Sequence, residues 1–131
     1  MTEGLEEFLT RAITAGILND QFRELLSLQD PSDPGFVRGI IDLFLNDSRK
    51  KLMSLQEAVM SHDVEAAAAL AHQMKGSSAS LGAPTLAACF SALDRLAREG
   101  RTNDMGLCLA EVYDSFHVLQ QCLREYLALG V

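Results

Sequence analysis

Aromatic residues are scarce in this chain: it has no tryptophan, two tyrosines and six phenylalanines. Sheets draw heavily on aromatic and β-branched residues, and no segment here alternates apolar with polar residues for long. Strands are therefore not expected. There are only three prolines, and two of them fall in one short loop, so long helices can run unbroken. No run of ~18 apolar residues occurs, which leaves no candidate for a membrane-spanning helix. The acidic start, "MTEGLEEFLTRA", lacks the basic-then-apolar order of a secretory signal. Positive charge is also short. Lysine and arginine total 11 against 18 acidic residues, the net charge is −7, and the longest basic cluster is Arg49 to Lys51. Nucleic acid is therefore not an expected partner, nor is a membrane. The composition reads as that of a soluble intracellular protein. Cysteine is sparse and odd in number, with Cys89, Cys108 and Cys122 at spacings that match no zinc motif. Each lies in a segment with amphipathic periodicity, which makes them buried free thiols of a reducing compartment.

What the chain does have, almost throughout, is helical periodicity. Six helices are expected, over about 3–15, 19–29, 34–61, 63–81, 84–99 and 103–128. The first presents Leu5, Phe8, Leu9, Ala12 and Ile13 on one face and stops at Gly16. Asn19 is the expected N-cap of the second. "DPSDPG" is the one clear loop, and Asp33 and Pro34 read as N-cap and first position of the third helix. That helix carries Phe36, Ile40, Phe44, Leu52, Leu55 and Val59 at steps near four, with Ser48 in the gap. Leu86, Cys89 or Phe90, Leu93 and Ala97 stripe the fifth. Leu109, Val112, Phe116, Leu119, Leu123 and Tyr126 stripe the sixth. The expected fold is all-α: an antiparallel four-helix bundle with two additional short N-terminal helices, one domain over 1–131.

The fourth helix holds the chemistry. At ~100° per residue, Val64, Ala67, Leu70, Met74, Ser78 and Leu81 share a core-facing side. His72 falls about 180° from the line between Leu70 and Met74, toward solvent. Its outer neighbours are Glu65, Ala68, Lys75, Gly76 and Ala79, so the imidazole stands above a low surface. Side chains lean toward a helix N-terminus, and a side chain at position 76 would lean over His72. Glycine there removes the obstruction, at a helix cost of ~1 kcal/mol relative to alanine. Lys75, at i+3, brings a cation beside the ring. An exposed nucleophile with an adjacent cation suits an anion delivered to, or carried on, the imidazole.

Other chemistries fit less well. Ser77 lies ~140° around the helix from His72, out of reach for a Ser-His pair. No His-x-x-x-His or Glu-x-x-His pair offers converging metal ligands. No glycine-rich loop follows a strand, so no ATP site is expected.

"HQMKGSSASLGA", from His72 to Ala83, resembles the signature of histidine-containing phosphotransfer (HPt) proteins, especially plant-type single-domain ones. "GILNDQFRELLSLQDPSDPGFVRGIIDLFLNDSRKKL", from Gly16 to Leu52, is similar to their N-terminal half. "LAACFSALDRLAREG" looks closer to the bacterial pattern, with Asp94 where those commonly have Glu. The resemblance implies a helical bundle and a carrier, not an enzyme with its own ATP site. His72 would take a phosphoryl group from the receiver domain of a hybrid histidine kinase and pass it to a response regulator. Lys75 would offset the phosphate charge and Gly76 would admit the receiver. The chain needs no cofactor of its own, because Mg²⁺ is expected on the partner receiver. Plant-type likeness further implies cytokinin signalling, a monomer, and a place in cytoplasm and nucleus. The receiver-binding patch is expected to draw on Ile13, Ile17, Leu18, Phe22, Ala68, Gln73 and Ala79. Asp94 is a candidate to orient the imidazole. A helical adaptor that binds receivers without phosphotransfer is the alternative, and the presence of a histidine at position 72 favours the carrier.

Overall fold

The computed structural model describes residues 3–131. Among them every regular element is helical: α1 Leu5–Thr14, α2 Asp20–Ser27, α3 Phe36–Met60, α4 Val64–Leu81, α5 Pro84–Arg98 and α6 Thr102–Ala128. Consecutive long helices are joined by short turns and so run antiparallel. α3 packs on α4, α4 on α5, α5 on α6, and α6 returns to α3, closing a ring of four. The broadest contact is α4 with α5. α1 lies against α6 and α2 against α4.

Local chemistry explains the boundaries. Asn19 caps α2 by accepting from the Gln21 N–H at 3.0 Å, and Asp63 caps α4 by accepting from Ala66 at 3.1 Å. Pro84 opens α5 at its first turn, where its missing N–H costs nothing. The start of α3 differs from expectation. Asp33 and Pro34 form a turn ahead of it, closed by Phe36 N–H to Asp33 C=O at 3.2 Å, and the helix begins at Phe36. Its free Val37 N–H donates instead to the Gln29 side chain, at the end of the α2 segment, at 3.0 Å.

Gly82 ties the appended helices to the bundle. It closes α4 in the left-handed region, at φ +94°. The Ala83 N–H reaches back to the Ser78 carbonyl at 2.9 Å, as such a helix stop requires. The Gly82 carbonyl accepts from the Asn19 N–H at 2.9 Å, and the Thr85 hydroxyl donates to the Gly16 carbonyl at 2.7 Å. A β-carbon on Gly82 would sit 2.4 Å from the Phe22 nitrogen, so only glycine lets α2 come this close.

The core runs through all six helices. In α3 the buried stripe is Val37, Ile41, Phe44, Leu45, Ser48, Leu52, Leu55, Ala58 and Val59. Phe36 and Ile40, expected on that stripe, are only half-buried. The buried face of the first turns of α3 is shifted by one position from the expected stripe, to Val37 and Ile41. In α4 the buried side is Ala67, Ala68, Ala71, Met74, Ser78 and Leu81, with Leu70 half-buried. Ala68 and Ala71 are drawn in because α5 covers that side of α4.

Candidate functional site

The structure places His72 on the outer face of α4, with 66 % of its side chain exposed. Lys75 and Gly76 are exposed beside it, as are Gln73 and Ala79. Lys75 has no ion-pair partner among the described residues. A β-carbon built on Gly76 meets nothing within 4 Å, and its backbone is ordinary helix. Neither packing nor conformation inside the chain calls for glycine there. The space it leaves faces outward. A β-carbon alone would not reach the His72 ring; only a longer side chain would lean over it, which refines the expectation from helix geometry.

On one flank of His72 stands α5. Its Nδ1 faces Asp94 Oδ2 at 3.6 Å, beyond hydrogen-bond length but close enough for a charge contact once the ring is protonated. The Asp94 side chain is 12 % exposed. Its other oxygen accepts from Arg98 Nε at 2.6 Å. Burying an unpaired carboxylate is costly, so the guanidinium and the imidazole together keep Asp94 in place. With Nδ1 turned inward, Nε2 is the nitrogen that faces solvent. Arg98 was not expected from the sequence; its i+4 spacing from Asp94 on one helix was the available signal.

On the other flank lies an apolar groove of ≈ 610 Å³ between α2, α3 and α4. Leu25, Ile40, Leu43 and Phe44 form most of its wall, with Ser77, Ser80 and Leu81 from α4 and Asp47 at its edge. Leu43 is 71 % exposed. Ile40, expected in the core, lines this groove with Leu43 because the buried face of early α3 runs through Val37, Ile41 and Leu45 instead. Sequence periodicity missed it.

Three members of the expected docking patch are corrected. Phe22 is fully buried, edge-on to Tyr126 at 5.4 Å, with Phe8 on the same ring at 6.0 Å. The three rings join α1, α2 and the end of α6. Leu18 is 1 % exposed, because its N–H and that of Ile17 fold back to the Ala12 carbonyl and tuck the connection under α1. Ala68 is 9 % exposed, covered by α5. Ile17 is half-buried in a different hollow with Thr85, Leu86, Val118 and Leu119, to which α4 contributes nothing. Ile13 is half-buried against the core. Only Gln73 and Ala79 of that set share the exposed face of His72.

Other chemistry-bearing groups are spread out. No three His, Cys, Asp or Glu side chains converge as a metal site among the described residues. The three thiols are free. Burial raises all three, and Cys122 is pushed up to about 11. Cys89 is half-buried rather than buried. No helix is long and apolar enough to cross a membrane among the described residues.

The family model described as Hpt domain matches residues 39–128, which include α4, α5 and α6. The chain belongs to the Hpt domain family. Its members are phosphotransfer intermediates of two-component phosphorelays, and that is the function of this chain. Relatives support the assignment over the whole length. Histidine-containing phosphotransfer protein 1 of Oryza sativa subsp. japonica is 29 % identical over 130 residues, covering 95 % of this chain and 88 % of that one. The structure of a histidine-containing phosphotransfer protein from Medicago truncatula superposes with a TM-score of 0.88 at 28 % identity, covering 96 % of this chain and 87 % of the other. Histidine-containing phosphotransfer protein B from Pseudomonas aeruginosa gives 0.75 at 28 % identity, over 84 % and 93 %. As an Hpt protein, the chain interacts with receiver domains of kinases and response regulators.

Proposed function

We propose that His72 is the phosphoryl-carrying residue of this Hpt protein. The observation that carries the reading is its placement: an exposed imidazole on α4 with Nδ1 turned to Asp94 and empty space over Gly76. Nε2 attacks the aspartyl phosphate of a docked receiver. The P–O bond to the receiver carboxylate breaks as the Nε2–P bond forms, and the steps reverse on a second receiver. Asp94 orients the ring and takes the charge of the imidazolium. Lys75 offsets part of the phosphoryl charge; an exposed contact of this kind is worth ~0.5–1 kcal/mol, more once docking excludes water. Gly76, Gln73 and Ala79 give the receiver a low approach.

The receiver docks with its apolar surface in the groove of Leu25, Ile40, Leu43 and Phe44. The groove reaches α4 at Ser77, Ser80 and Leu81, and an exposed leucine at its wall loses water on docking. Mg²⁺ arrives with the receiver, and the carrier has no cofactor or ATP site of its own. We assign it to a monomer acting as one unit over 1–131. Likeness to the plant carriers supports a place in cytokinin signalling and movement between cytoplasm and nucleus.

The deciding experiment mixes the protein with a phosphorylated receiver and Mg²⁺ and follows labelled phosphate, with His72→Gln alongside. Acid-labile, base-stable label on the native chain and none on the variant is the expected result. Receiver binding without label would overturn the carrier in favour of an adaptor.

A further inference from the structure

The α1–α6 side of the bundle lies away from His72, because α4 and α6 are diagonal in the ring of four helices. Transfer at His72 makes no use of the apolar side chains there. The Thr85 hydroxyl donates to the Gly16 carbonyl at 2.7 Å and holds the α1–α2 connection against the first turn of α5. Beside that junction is a hollow of ≈ 210 Å³ walled by Ile17, Leu86, Val118 and Leu119, with Asp114 in its lining. Val118 is 52 % exposed. Ile17 and Val118 also line a second hollow, of ≈ 350 Å³, which continues to Gln121, Cys122 and Glu125. The two share these walls and form one cleft. Ser115, Val118, Leu119, Cys122 and Glu125 follow one face of α6 at steps of three and four. From first to last they span about 15 Å of helix, the length of about five residues of extended chain.

The rim of this cleft carries one sign of charge. Glu111 and Asp114 are exposed on α6, three residues apart and so on one side of the helix. Glu7 is exposed on α1, in a neighbouring hollow that shares Ala15 and Arg11 with the cleft. None of the three has an ion-pair partner among the described residues. The arginines beside them are already engaged: Arg11 with Glu3 at 2.9 Å and Glu125 at 2.8 Å, and Arg23 with Glu6 at 3.2 Å. The groove of Leu25 and Leu43 differs in this respect, since its one carboxylate, Asp47, is paired with Lys51 at 3.0 Å.

We propose that the cleft is a second docking site, for a basic polypeptide segment. The segment sets one large apolar side chain between Ile17 and Val118 and its lysines or arginines against Glu7, Glu111 and Asp114. The sign of the rim selects this occupant. Nucleic acid and anionic lipid headgroups carry the same sign and are repelled. A second copy of this chain would set carboxylates against carboxylates. The apolar anchor supplies contact area, and the charges supply orientation and a fast encounter. Because the cleft faces away from α4, the segment and a receiver occupy the chain together. A segment of this kind linked to a receiver domain raises that receiver's effective concentration at the α4 face without adding contacts there. The docking itself does not depend on which residue carries the phosphoryl group.

The probe is the fluorescein-labelled peptide Arg-Lys-Leu-Arg-Lys, with one counterpart that has glutamate at every basic position and another that has serine for leucine. Fluorescence anisotropy at low salt gives the affinities, and methyl NMR locates the contact. The basic peptide is expected to bind saturably and to shift the methyl signals of Ile17, Val118 and Leu119. The acidic counterpart does not bind, and added salt weakens the basic one. Val118→Arg and the serine peptide each weaken binding about tenfold or more, as removal of an anchor does. Asp114→Asn weakens it roughly two- to fivefold, the scale of one exposed charge contact. Both side chains are exposed, so both variants should melt like the native chain. A receiver domain added to the complex leaves the peptide bound. No binding of the basic peptide, equal binding of the acidic one, shifts confined to α4, displacement by the receiver, or native affinity in Val118→Arg would each overturn the proposal. A dimer of the protein alone that Val118→Arg dissolves would also overturn it, and would give the cleft to a second copy.

Discussion

On the α5 flank of His72 the neighbours are Asp94 and Arg98, a carboxylate and a guanidinium 2.6 Å apart. On the α2–α3 flank they are Leu25, Ile40, Leu43 and Phe44 around an open groove. The first flank belongs to the broadest helix contact in the bundle and has little freedom to shift. The second depends on α2, a short helix held to α4 chiefly through the Asn19–Gly82 junction. The difference separates two tasks. Charge and ring orientation are built into the rigid pair α4–α5, while recognition is placed on a surface set by tertiary docking. Variants on each flank should then change different measurements.

The largest effect is expected where the second flank is anchored. Gly82→Ala forces a β-carbon to 2.4 Å from the Phe22 nitrogen at φ +94°. Backbone strain and the clash add, and α2 must lift away. A loss of about 3 kcal/mol is expected, seen as a melting temperature lower by roughly 10 °C. Receiver affinity should fall with it. A variant that melts like the native chain would show that α2 is not held through this junction.

A smaller and cleaner change is Leu43→Asp. Leu43 is 71 % exposed, so the folded chain should tolerate a carboxylate there. In the groove it removes apolar contact area and sets a desolvated charge against the receiver. A rise in Kd of about tenfold or more is expected by calorimetry, equal to ~1.4 kcal/mol. Unchanged affinity would place the receiver elsewhere on the His72 face.

The same contrast explains what could be read from the sequence. The six helices, the cap at Asn19 and the outward aim of His72 follow from local signals within a few residues, and these survive folding, whereas the cap expected at Asp33 gave way to a turn ahead of α3. Lys75 and Gly76 were legible for the same reason, since i+3 and i+4 neighbours share a face. The docking residues were not. Leu18 lies in the connection between α1 and α2 and Phe22 in a short helix, and only the aromatic contact with Tyr126, about a hundred positions away in sequence, decides that Phe22 is buried. Ala68 looked exposed on a helical wheel because a wheel does not say where α5 lies. Phe36 and Ile40 kept their four-residue step, yet the buried face of early α3 is shifted by one position. The groove that resulted depends on how α2, α3 and α4 meet.

Gly76 lies between the two flanks and tests both. Its backbone is helical and a β-carbon there meets nothing within 4 Å. Gly76→Ala should therefore stabilise the chain by ~1 kcal/mol, the helix preference of alanine over glycine. Phosphoramidate should still charge His72 at the native rate, because the small donor needs no broad approach. Phosphotransfer from a receiver should slow. A stabler variant with unchanged receiver transfer would mean that the open space over residue 76 is not where the partner sits.

The smallest expected effect concerns the polar flank alone. Asp94→Asn keeps the shape and one acceptor but removes the charge. Asn cannot balance an imidazolium, and its bond to Arg98 loses the charge on the acceptor side, where bonds between ions are roughly twice as strong as neutral ones. Charging by phosphoramidate should slow about threefold, a difference of ~0.65 kcal/mol in the barrier. Receiver Kd should not change, since Asp94 is largely buried under the ring and touches no docked surface. Charging of Asp94→Asn at the native rate would mean that Asp94 only holds the ring in one rotamer and that the carboxylate's charge has no part in the transfer.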